Sequence, residues 1–341
     1  FRFDVINLVS KPEQMLDDFE GDGRRFYSDG PHIHEYLKEL VRDAGIEDFI
    51  TVGEMSSTTL EHCIRYSSPK EKELSMCFHF HHLKVDYKDG DKWALAAPDY
   101  RKLKELFVKW QTGMQEGGGW NALFWCNHDQ PRIVSRMGDE GVYWKASAKM
   151  LAGMIHLMRG TPYIYQGEEI GMLNAHYPSI EQYRDVESLN YYQILLEKGK
   201  TKEEALATLA ARSRDNSRTP MQWSRETCGG FSEAEPWLPM SAGFRDEITV
   251  EAQQKDGDSI LAFYKKLIAM RKTYPIIAKG EIAFLETEND MVMAYKRVLG
   301  DQQIVVLCNL DGKRQRIKAD EAWRGLPVLL ENGSRPAENS P

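Results

Sequence analysis

Residues 122–165 of the chain read ALFWCNHDQPRIVSRMGDEGVYWKASAKMLAGMIHLMRGTPYIY, and their pattern indicates a fold class. A short apolar run, Ala122–Trp125, opens the segment and a second one, Thr161–Tyr165, closes it; both have the length of a strand. The residues between them from Trp144 to Met158 read as a helix. A strand, a covering helix and a further strand form the repeating unit of parallel sheets, so the segment predicts the α/β class.

The same alternation extends towards the start of the chain. Three further apolar runs predict strands at Phe1–Leu8, Phe49–Gly53 and Leu74–Phe80. Apolar residues at helical spacing predict a helix around residues 33–41 and another around residues 100–110. Five predicted strands therefore alternate with helices over the first half of the chain.

The chain changes character after the fifth predicted strand. Residues 171–256 form a long excursion, in which the capping box Thr201–Glu204 predicts the start of a helix. An amphipathic helix is predicted over Ser259–Lys272, and short strands dominate after it. We therefore predict an α/β domain over residues 1–274 and a small antiparallel β domain over residues 275–341.

Composition and charge narrow the classes of partner. The formal net charge is −8, from 44 basic and 52 acidic residues, which argues against broad binding to nucleic acids or anionic membranes. No run of 18 apolar residues predicts a membrane-spanning helix. The five cysteines are odd in number and include no C-x-x-C pair, which favours reduced thiols in a cytosolic protein over a disulfide framework.

Acidic residues stand at the ends of three predicted strands. They are Asp4, Glu54 and Asp129. Arg2 precedes Asp4 by two residues, so both side chains point to the same face of a strand. Since the carboxyl ends of parallel strands converge on one mouth, we expect the three acids to meet there. For any one of them alone, a helix cap or a surface charge is the ordinary alternative.

These residues lie in motifs that resemble a known family. The stretches Phe1–Val5, Val52–Met55 and Asn127–Gln130 are similar, in the expected order, to the three catalytic signatures of the α-amylase family of glycoside hydrolases. The stretches Ser213–Trp223 and Tyr165–Glu169 resemble its α-glucosidase branch. The resemblance covers essentially the whole chain and implies a (β/α)8 (TIM) barrel fold.

The resemblance implies a division of labour among the acids. Asp4 would be the nucleophile, Glu54 the general acid and base, and Asp129 the stabiliser of the oxocarbenium-like transition state. A retaining glycosidase needs two carboxyl groups roughly 5 Å apart, one ionised and one protonated. We expect Arg2 to keep Asp4 ionised, whereas nearby negative charge and burial would raise the pKa of Glu54.

Further residues of these motifs are expected to bind the sugar. By the same resemblance, His128 would donate a hydrogen bond to a glucose hydroxyl, and Arg132 and Arg218 would line the pocket. For each arginine, a surface or structural ion pair is the alternative. No cofactor and no metal are expected: His79, His81 and His82 lack a metal-ligand spacing, and the acidic loop at residues 17–23 lacks the calcium-loop pattern.

The loop after the third strand, FHHLKVDY, bears on the substrate. Within the branch, the chain most resembles the enzymes that hydrolyse trehalose 6-phosphate to glucose and glucose 6-phosphate. Lys84, with His81 or His82, would contact the phosphate, because an ammonium can pair with a phosphate dianion. A solvated loop lysine is the alternative for Lys84. An oligo-1,6-glucosidase or related α-glucosidase on unphosphorylated oligosaccharides is the rival activity, and a non-catalytic amylase-like interaction domain is the rival class.

The resemblance also implies that the chain is the C-terminal part of the barrel. Its first strand resembles the fourth of eight, so strands 4 to 8 would be present, followed by an incomplete antiparallel β domain. Five strands cannot close a barrel. We therefore expect the isolated chain to be inactive, and the full-length protein to be a monomeric cytoplasmic enzyme with no nucleic-acid or membrane partner.

Overall fold

Five short parallel strands form the centre of the structure. The computed structural model describes residues 1–14, 16–318, 320–323 and 325–333. The strands β1 to β3 pair in chain order, β4 pairs with β5, and a parallel bridge between Cys77 and Asn121 joins the two groups. The strands are β1 (Arg2–Phe3), β2 (Val52–Glu54), β3 (Met76–Phe78), β4 (Ala122–Leu123) and β5 (Thr161–Pro162).

Helices follow the strands, as the alternating pattern predicts. Those of the first half are α1 (Arg24–Tyr27), α2 (Ile33–Asp43), α3 (Leu60–Ser67), α4 (Tyr100–Glu116), α5 (Ile133–Met137) and α6 (Trp144–His156). Those of the second half are α7 (Val186–Glu197), α8 (Lys202–Arg212), α9 (Val250–Lys255), α10 (Ile260–Thr273) and α11 (Pro275–Lys279). Within the described residues, no helix is both long and apolar enough to cross a membrane.

The strands are shorter than their apolar runs predict. The predicted strand Phe1–Leu8 ends at Phe3, because Val5 adopts a left-handed conformation with φ 42° and Ile6–Leu8 form a 3₁₀ turn. The predicted strand Phe49–Gly53 starts only at Val52, because Phe49 and Ile50 are exposed and lie before the ladder. An apolar run therefore indicates where a strand is, but only the residues in the ladder belong to it.

The main core lies between the strands and their covering helices. Leu103 and Phe107 of α4 pack there with Trp125, which follows β4. Leu151 and Ile155 of α6 complete this layer, and Phe263, Tyr264 and Leu267 of α10 lie in the same cluster. Burial of one face of each helix against the strands is what fixes the carboxyl ends of the strands in space.

The excursion at residues 171–256 is more ordered than its sequence predicts. The capping box is present: the Thr201 side chain accepts from the Glu204 backbone and Glu204 accepts from the Thr201 backbone, at the start of α8. α7 precedes it, although its sequence does not stand out. The two helices share a separate core, formed with Trp93, Tyr177, Tyr183, Tyr192, Leu195 and Leu209.

A three-stranded antiparallel sheet follows α11, as predicted. Its strands β6 (Glu281–Phe284), β7 (Val292–Leu299) and β8 (Gln302–Asn309) pair in chain order. Arg297 is fully buried and donates to the backbone carbonyls of Leu157, Ile277 and Gly280, which joins the sheet to the end of α6. The predicted end of this domain, up to Pro341, lies outside the described residues from residue 334 onwards.

Candidate active site

Asp4 and Glu54 meet at the ends of β1 and β2. Phe3 pairs with Gly53 in the ladder, so the two carboxylates follow at equivalent positions. The guanidinium of Arg2 joins them: Nη1 lies 2.8 Å from Asp4 Oδ1, and Nη2 donates to Glu54 Oε2. The structure thus brings the two carboxyl groups onto one guanidinium. That Arg2 serves Glu54 as well as Asp4 was not predicted.

The pKa of Glu54 is raised to about 7. Burial of this side chain, which is 8% exposed, is the largest cause. The Arg2 charge opposes it, while a hydrogen bond with Asp4 and the charges of Asp4 and Asp129 raise the pKa further. Burial therefore outweighs the ion pair, and Glu54 exchanges a proton near neutral pH. Burial and nearby negative charge are the two causes from which the sequence predicts this direction.

Asp129 lies in a turn after β4 and faces two arginines. Its backbone N–H donates to Asn127 Oδ1 at 2.8 Å, which fixes the turn. Arg218 Nη2 lies 2.7 Å from Asp129 Oδ1, and His128 Nε2 lies 3.3 Å from Asp129 Oδ2. Arg218 also donates to the His128 carbonyl oxygen at 2.7 Å. The structure thus brings His128, Asp129 and Arg218 together, with Asp129 close enough to Glu54 to act on its pKa.

A second charged layer beside Asp129 was missed by the sequence analysis. Arg214 lies 3.5 Å from Asp129 Oδ1 and donates to Glu187 Oε2 at 2.9 Å. Glu187 also accepts from Lys92 Nζ at 2.7 Å. Arg214 stands in the quoted Ser213–Trp223 motif, which could have marked it. Lys92 and Glu187 lie 95 residues apart in the chain, and no local pattern pairs them.

Arg132 does not line an open pocket, which corrects its predicted role. Its side chain is fully buried, with its guanidinium over the ring of Tyr165. The guanidinium donates to the backbone carbonyls of Gln166 and Ser217. These contacts hold the segment after β5 against the Ser213–Trp223 motif. Arg132 is therefore a structural residue, and it makes no contact with Asp129.

The two histidines after β3 that were predicted to contact the phosphate are both engaged elsewhere in the structure. His82 is buried and its Nε2 donates to the Phe124 carbonyl oxygen at 2.9 Å, while burial lowers its pKa to about 4. The ring is buried and its one N–H is already bonded to the Phe124 carbonyl, so His82 has no donor left for a phosphate, which corrects its predicted role. His81 Nε2 donates to the Thr58 carbonyl oxygen at 3.0 Å, and its ring stacks on Trp110. Its N–H is therefore already used.

Lys84 differs from both histidines. It is half-buried, and burial and the nearby charge of Arg24 lower its pKa. In the part of the chain that the structure describes, Lys84 makes no ion pair and no hydrogen bond from its ammonium. Lys92, by contrast, forms an ion pair with Glu187. Lys84 is thus a cation whose charge has no local compensation.

The two metal-like motifs have ordinary structural explanations. His79 stacks on Trp110, with ring centroids 3.6 Å apart. In the acidic loop, Asp18 accepts from the backbone of Glu20 and Gly23 and pairs with Arg25, so it caps a turn. Among the described residues, no three His, Cys, Asp or Glu side chains are grouped to hold a metal ion.

A comparison of the chain with protein families agrees with the paired acids and the arginines around them. A family model described as the catalytic domain of alpha amylase matches residues 1–280. The chain belongs to the alpha-amylase family. The five parallel strands and the helices that cover them are thus part of that family's barrel fold, and the antiparallel sheet follows it in the chain.

Relatives within the alpha-amylase family are close to this chain. A trehalose-6-phosphate hydrolase of Bacillus subtilis (strain 168) is 51% identical over 338 residues, which are 97% of this chain and 60% of the relative. An oligo-1,6-glucosidase of Parageobacillus thermoglucosidasius is 42% identical, over 92% of this chain and 57% of the relative. A crystal structure of Bacillus licheniformis trehalose-6-phosphate hydrolase matches with a TM-score of 0.93 at 51% identity, over 99% of this chain and 62% of that one. The chain thus spans about 60% of the length of these relatives.

Another carboxyl group of this alpha-amylase family member lies buried behind the site. Glu168, 3% exposed, accepts from the Tyr264 hydroxyl at 2.8 Å through Oε1, while Oε2 has no hydrogen-bond partner among the described residues. Burial raises its pKa to about 7, and the neighbouring groups Tyr264, Cys126 and Arg132 counteract this only in part. The folded protein therefore holds a proton on Glu168 that the unfolded chain releases near pH 4.5.

Replacing Glu168 with glutamine is expected to change how stability depends on pH. Between pH 4.5 and about 7 the folded state binds more protons at Glu168, so this group lowers the unfolding free energy as pH rises through that window. Above about pH 7, the unfolding free energy is lower by an amount on the order of 3 kcal/mol because of this group. The unfolding free energy of Glu168→Gln, relative to that of the unmodified protein, should therefore be higher at pH 8 than at pH 5. It is measured by urea unfolding of both proteins at both pH values. The exposed Glu47→Gln is the control, and a constant difference across this range for Glu168→Gln would contradict the prediction.

Proposed function

We propose that this chain carries the catalytic groups of a retaining α-glucoside hydrolase that cleaves trehalose 6-phosphate to glucose and glucose 6-phosphate. The single observation that carries the proposal is the pair of carboxylates, Asp4 and Glu54, on the guanidinium of Arg2. Identity of 51% to trehalose-6-phosphate hydrolases supports the substrate. Since the chain spans about 60% of these relatives, the activity and the substrate of the whole protein are part of the proposal.

The shared contact of the Asp4 and Glu54 carboxylates with Arg2 favours the retaining mechanism. Retaining enzymes place the two groups about 5 Å apart, whereas inverting enzymes leave roughly 6.5–9.5 Å for a water molecule. Carboxyl groups that both contact one guanidinium suit the shorter separation. In the first step, an Asp4 oxygen attacks the anomeric carbon while protonated Glu54 gives its proton to the departing oxygen. In the second, Glu54 takes a proton from water, which hydrolyses the ester on Asp4.

The pKa of Glu54 suits both steps. A group with a pKa of about 7 is protonated often enough to act as acid and deprotonated easily enough to act as base near neutral pH. Asp129 would place its negative charge near the oxocarbenium-like carbon, held in position by Arg218. His128, half-exposed beside it, would donate to a sugar hydroxyl.

We also propose that Lys84 binds the phosphate of the leaving sugar. A half-buried ammonium without a carboxylate partner among the described residues would be compensated by a phosphate dianion. Lys84→Ala should raise KM for trehalose 6-phosphate about 10- to 100-fold, because a charge-assisted hydrogen bond contributes about 1.5–3 kcal/mol. KM for an unphosphorylated aryl α-glucoside should stay within about twofold, because that substrate lacks the charge.

The control for Lys84 is Lys88→Ala, which removes an exposed lysine from the same loop. It should leave both KM values unchanged. If Lys84→Ala changes the kinetics of the two substrates equally, Lys84 is a structural residue and the phosphate contact must be sought elsewhere.

An oligo-1,6-glucosidase is the second candidate, because relatives of that name are 40–43% identical to the chain. Comparison of kcat/KM for trehalose 6-phosphate and isomaltose, on the natural protein, separates the two. A higher value for isomaltose would overturn the phosphorylated substrate. The presence of all three acids, Asp4, Glu54 and Asp129, argues against a non-catalytic interaction domain.

The organisation of the chain is part of the same proposal. Residues 1–274 would contribute strands 4 to 8 of the barrel, and residues from 275 onwards would form the C-terminal β domain. Cytoplasmic location is supported by five free cysteines, four of them buried, and by a phosphorylated substrate.

A further inference from the structure

The backbone directly after Asp4 is strained. Val5 adopts φ 42° and ψ 42°, a left-handed conformation that is unfavourable for a β-branched residue. This turn ends β1 after two residues and leads the chain into the 3₁₀ turn Ile6–Leu8. Such strain persists only where surrounding contacts enforce it. The path of the backbone after Asp4, towards the segment that carries Glu54, therefore depends on whatever holds the following turn.

Asn7 makes the contacts that hold this turn. Its side chain is fully buried, and it bonds the backbone of Ser56 twice: Nδ2 donates to the Ser56 carbonyl oxygen at 2.8 Å, and Oδ1 accepts from the Ser56 N–H at 2.9 Å. Asn7 follows Asp4 by three residues, and Ser56 follows Glu54 by two. One side chain therefore ties together the two segments that carry the paired carboxylates, beyond the point where the β1–β2 ladder ends.

Asp29 fixes the orientation of the Asn7 amide. Its Oδ1 accepts from Asn7 Nδ2 at 3.0 Å, from the Tyr66 hydroxyl at 2.5 Å and from the Thr58 hydroxyl at 3.3 Å. The Asp29 backbone N–H in turn donates to the Asn7 carbonyl oxygen at 2.9 Å. A carboxylate accepts only, so the amide nitrogen must face Asp29 and the amide oxygen must face the Ser56 N–H.

We propose that Asn7 is a positioning residue, which sets the separation of Asp4 and Glu54 by clamping the backbone of Ser56. The inference rests on the proposed function, in which those two carboxylates attack and protonate one glycosidic bond. Neither Asn7 nor Asp29 reaches a bound sugar in this scheme, because Asn7 is fully buried and Asp29 is engaged by three donors.

The first test uses the leaving-group dependence of the natural protein. Asn7→Ala should lower kcat/KM about 100-fold for an α-glucoside of a weakly acidic phenol, since a misplacement of 1 Å can cost about that much. For an α-glucoside of dinitrophenol, which departs without a proton, the loss should be less than about tenfold. Ser10→Ala is the matched control: Ser10 is fully buried in the same loop and its hydroxyl accepts from the His32 N–H, away from Ser56, so this variant should leave both rates unchanged.

Tyr66→Phe is a milder variant in case Asn7→Ala does not fold. It removes only the hydroxyl that bonds Asp29, and should reduce the rate for the weakly acidic phenol by several fold in the same selective way. An equal loss for both glucosides, or no loss in either variant, would overturn the inference and leave Asn7 a purely structural residue.

A second test needs no turnover and so separates this inference from the proposed function. The ionisation of Glu54 is followed by the ¹³C shift of its labelled carboxyl group, assigned with Glu54→Gln. In Asn7→Ala the midpoint of the Glu54 titration should fall by at least one pH unit, because Glu54 would move out of its buried place and away from Asp4. Ser10→Ala should leave this midpoint unchanged. An unchanged midpoint overturns the inference even if the enzyme proves to have another substrate. Absence of α-glucosidase activity in the unmodified protein, with a shifted midpoint, overturns only the proposed function.

Discussion

Replacing Asp4 with alanine is expected to lower kcat for an aryl α-glucoside roughly 10⁴- to 10⁶-fold, the range seen when a catalytic nucleophile is removed. Asp4 is the exposed member of the carboxylate pair and lies 2.8 Å from the Arg2 guanidinium, so its oxygen is available to the sugar. In the proposed mechanism, no glycosyl ester can form without it. The activity is measured by release of the phenol from an activated glucoside, with thermal unfolding as a check of the fold.

Azide provides the decisive measurement for Asp4. In Asp4→Ala a small anion can occupy the space of the carboxylate and attack the anomeric carbon from that side, so added azide should restore turnover and give the β-glucosyl azide. Asp22→Asn is a matched control, because Asp22 is also an exposed carboxylate paired with an arginine. It lies on the loop before α1 and pairs with Arg24. Unchanged kcat in Asp4→Ala, or an azide product of α configuration, would show that Asp4 is not the nucleophile.

Replacing Glu54 with glutamine should lower kcat about 10²- to 10⁴-fold for substrates with poor leaving groups, the usual contribution of a general acid. The second step also slows, because glutamine cannot take a proton from water. Azide needs no such base, and it attacks the ester on Asp4 from the opposite side, so rescue should now give the α-glucosyl azide. The two variants thus differ in the configuration of the product as well as in rate.

The pH profile gives an independent measure of Glu54. The first step requires the protonated form, so the rate of that step in the unmodified protein should fall as pH rises through about 7. For an α-glucoside of a weakly acidic phenol, whose departure needs the proton, this alkaline decline should be present in the unmodified protein and disappear in Glu54→Gln. A decline that persists in Glu54→Gln would assign the titration to another group, with buried Glu168 the next to test.

The sequence was sufficient for the part of the site that follows from strand geometry. Arg2 and Asp4 share a face because side chains alternate along a strand, and Glu54 and Asp129 follow strands that run parallel. Those facts are local or follow from the α/β pattern. The raised pKa of Glu54 was predictable in direction, because burial and neighbouring acids act in the same sense.

The errors concern residues whose environment is set by distant segments. Arg132 resembled a pocket arginine, but it is buried against carbonyl oxygens of Gln166 and Ser217, the latter 85 residues away. His82 follows His81 by one residue, yet the 3₁₀ turn after β3 rotates it into the core beside Phe124. The side chain of a motif residue can be assigned from sequence only while the backbone around it is regular.

The contact of Arg297 with the end of α6 has a consequence for how the molecule melts. Its guanidinium is held by carbonyl oxygens from two separate segments, Leu157 after α6 and Ile277 and Gly280 in and after α11. Separating the β-sheet from the barrel helices would leave the Leu157 oxygen and part of the guanidinium without partners in a region largely shielded from water. The antiparallel sheet and the strand–helix layers should therefore lose structure in a single cooperative transition, rather than as two bodies with independent melting temperatures.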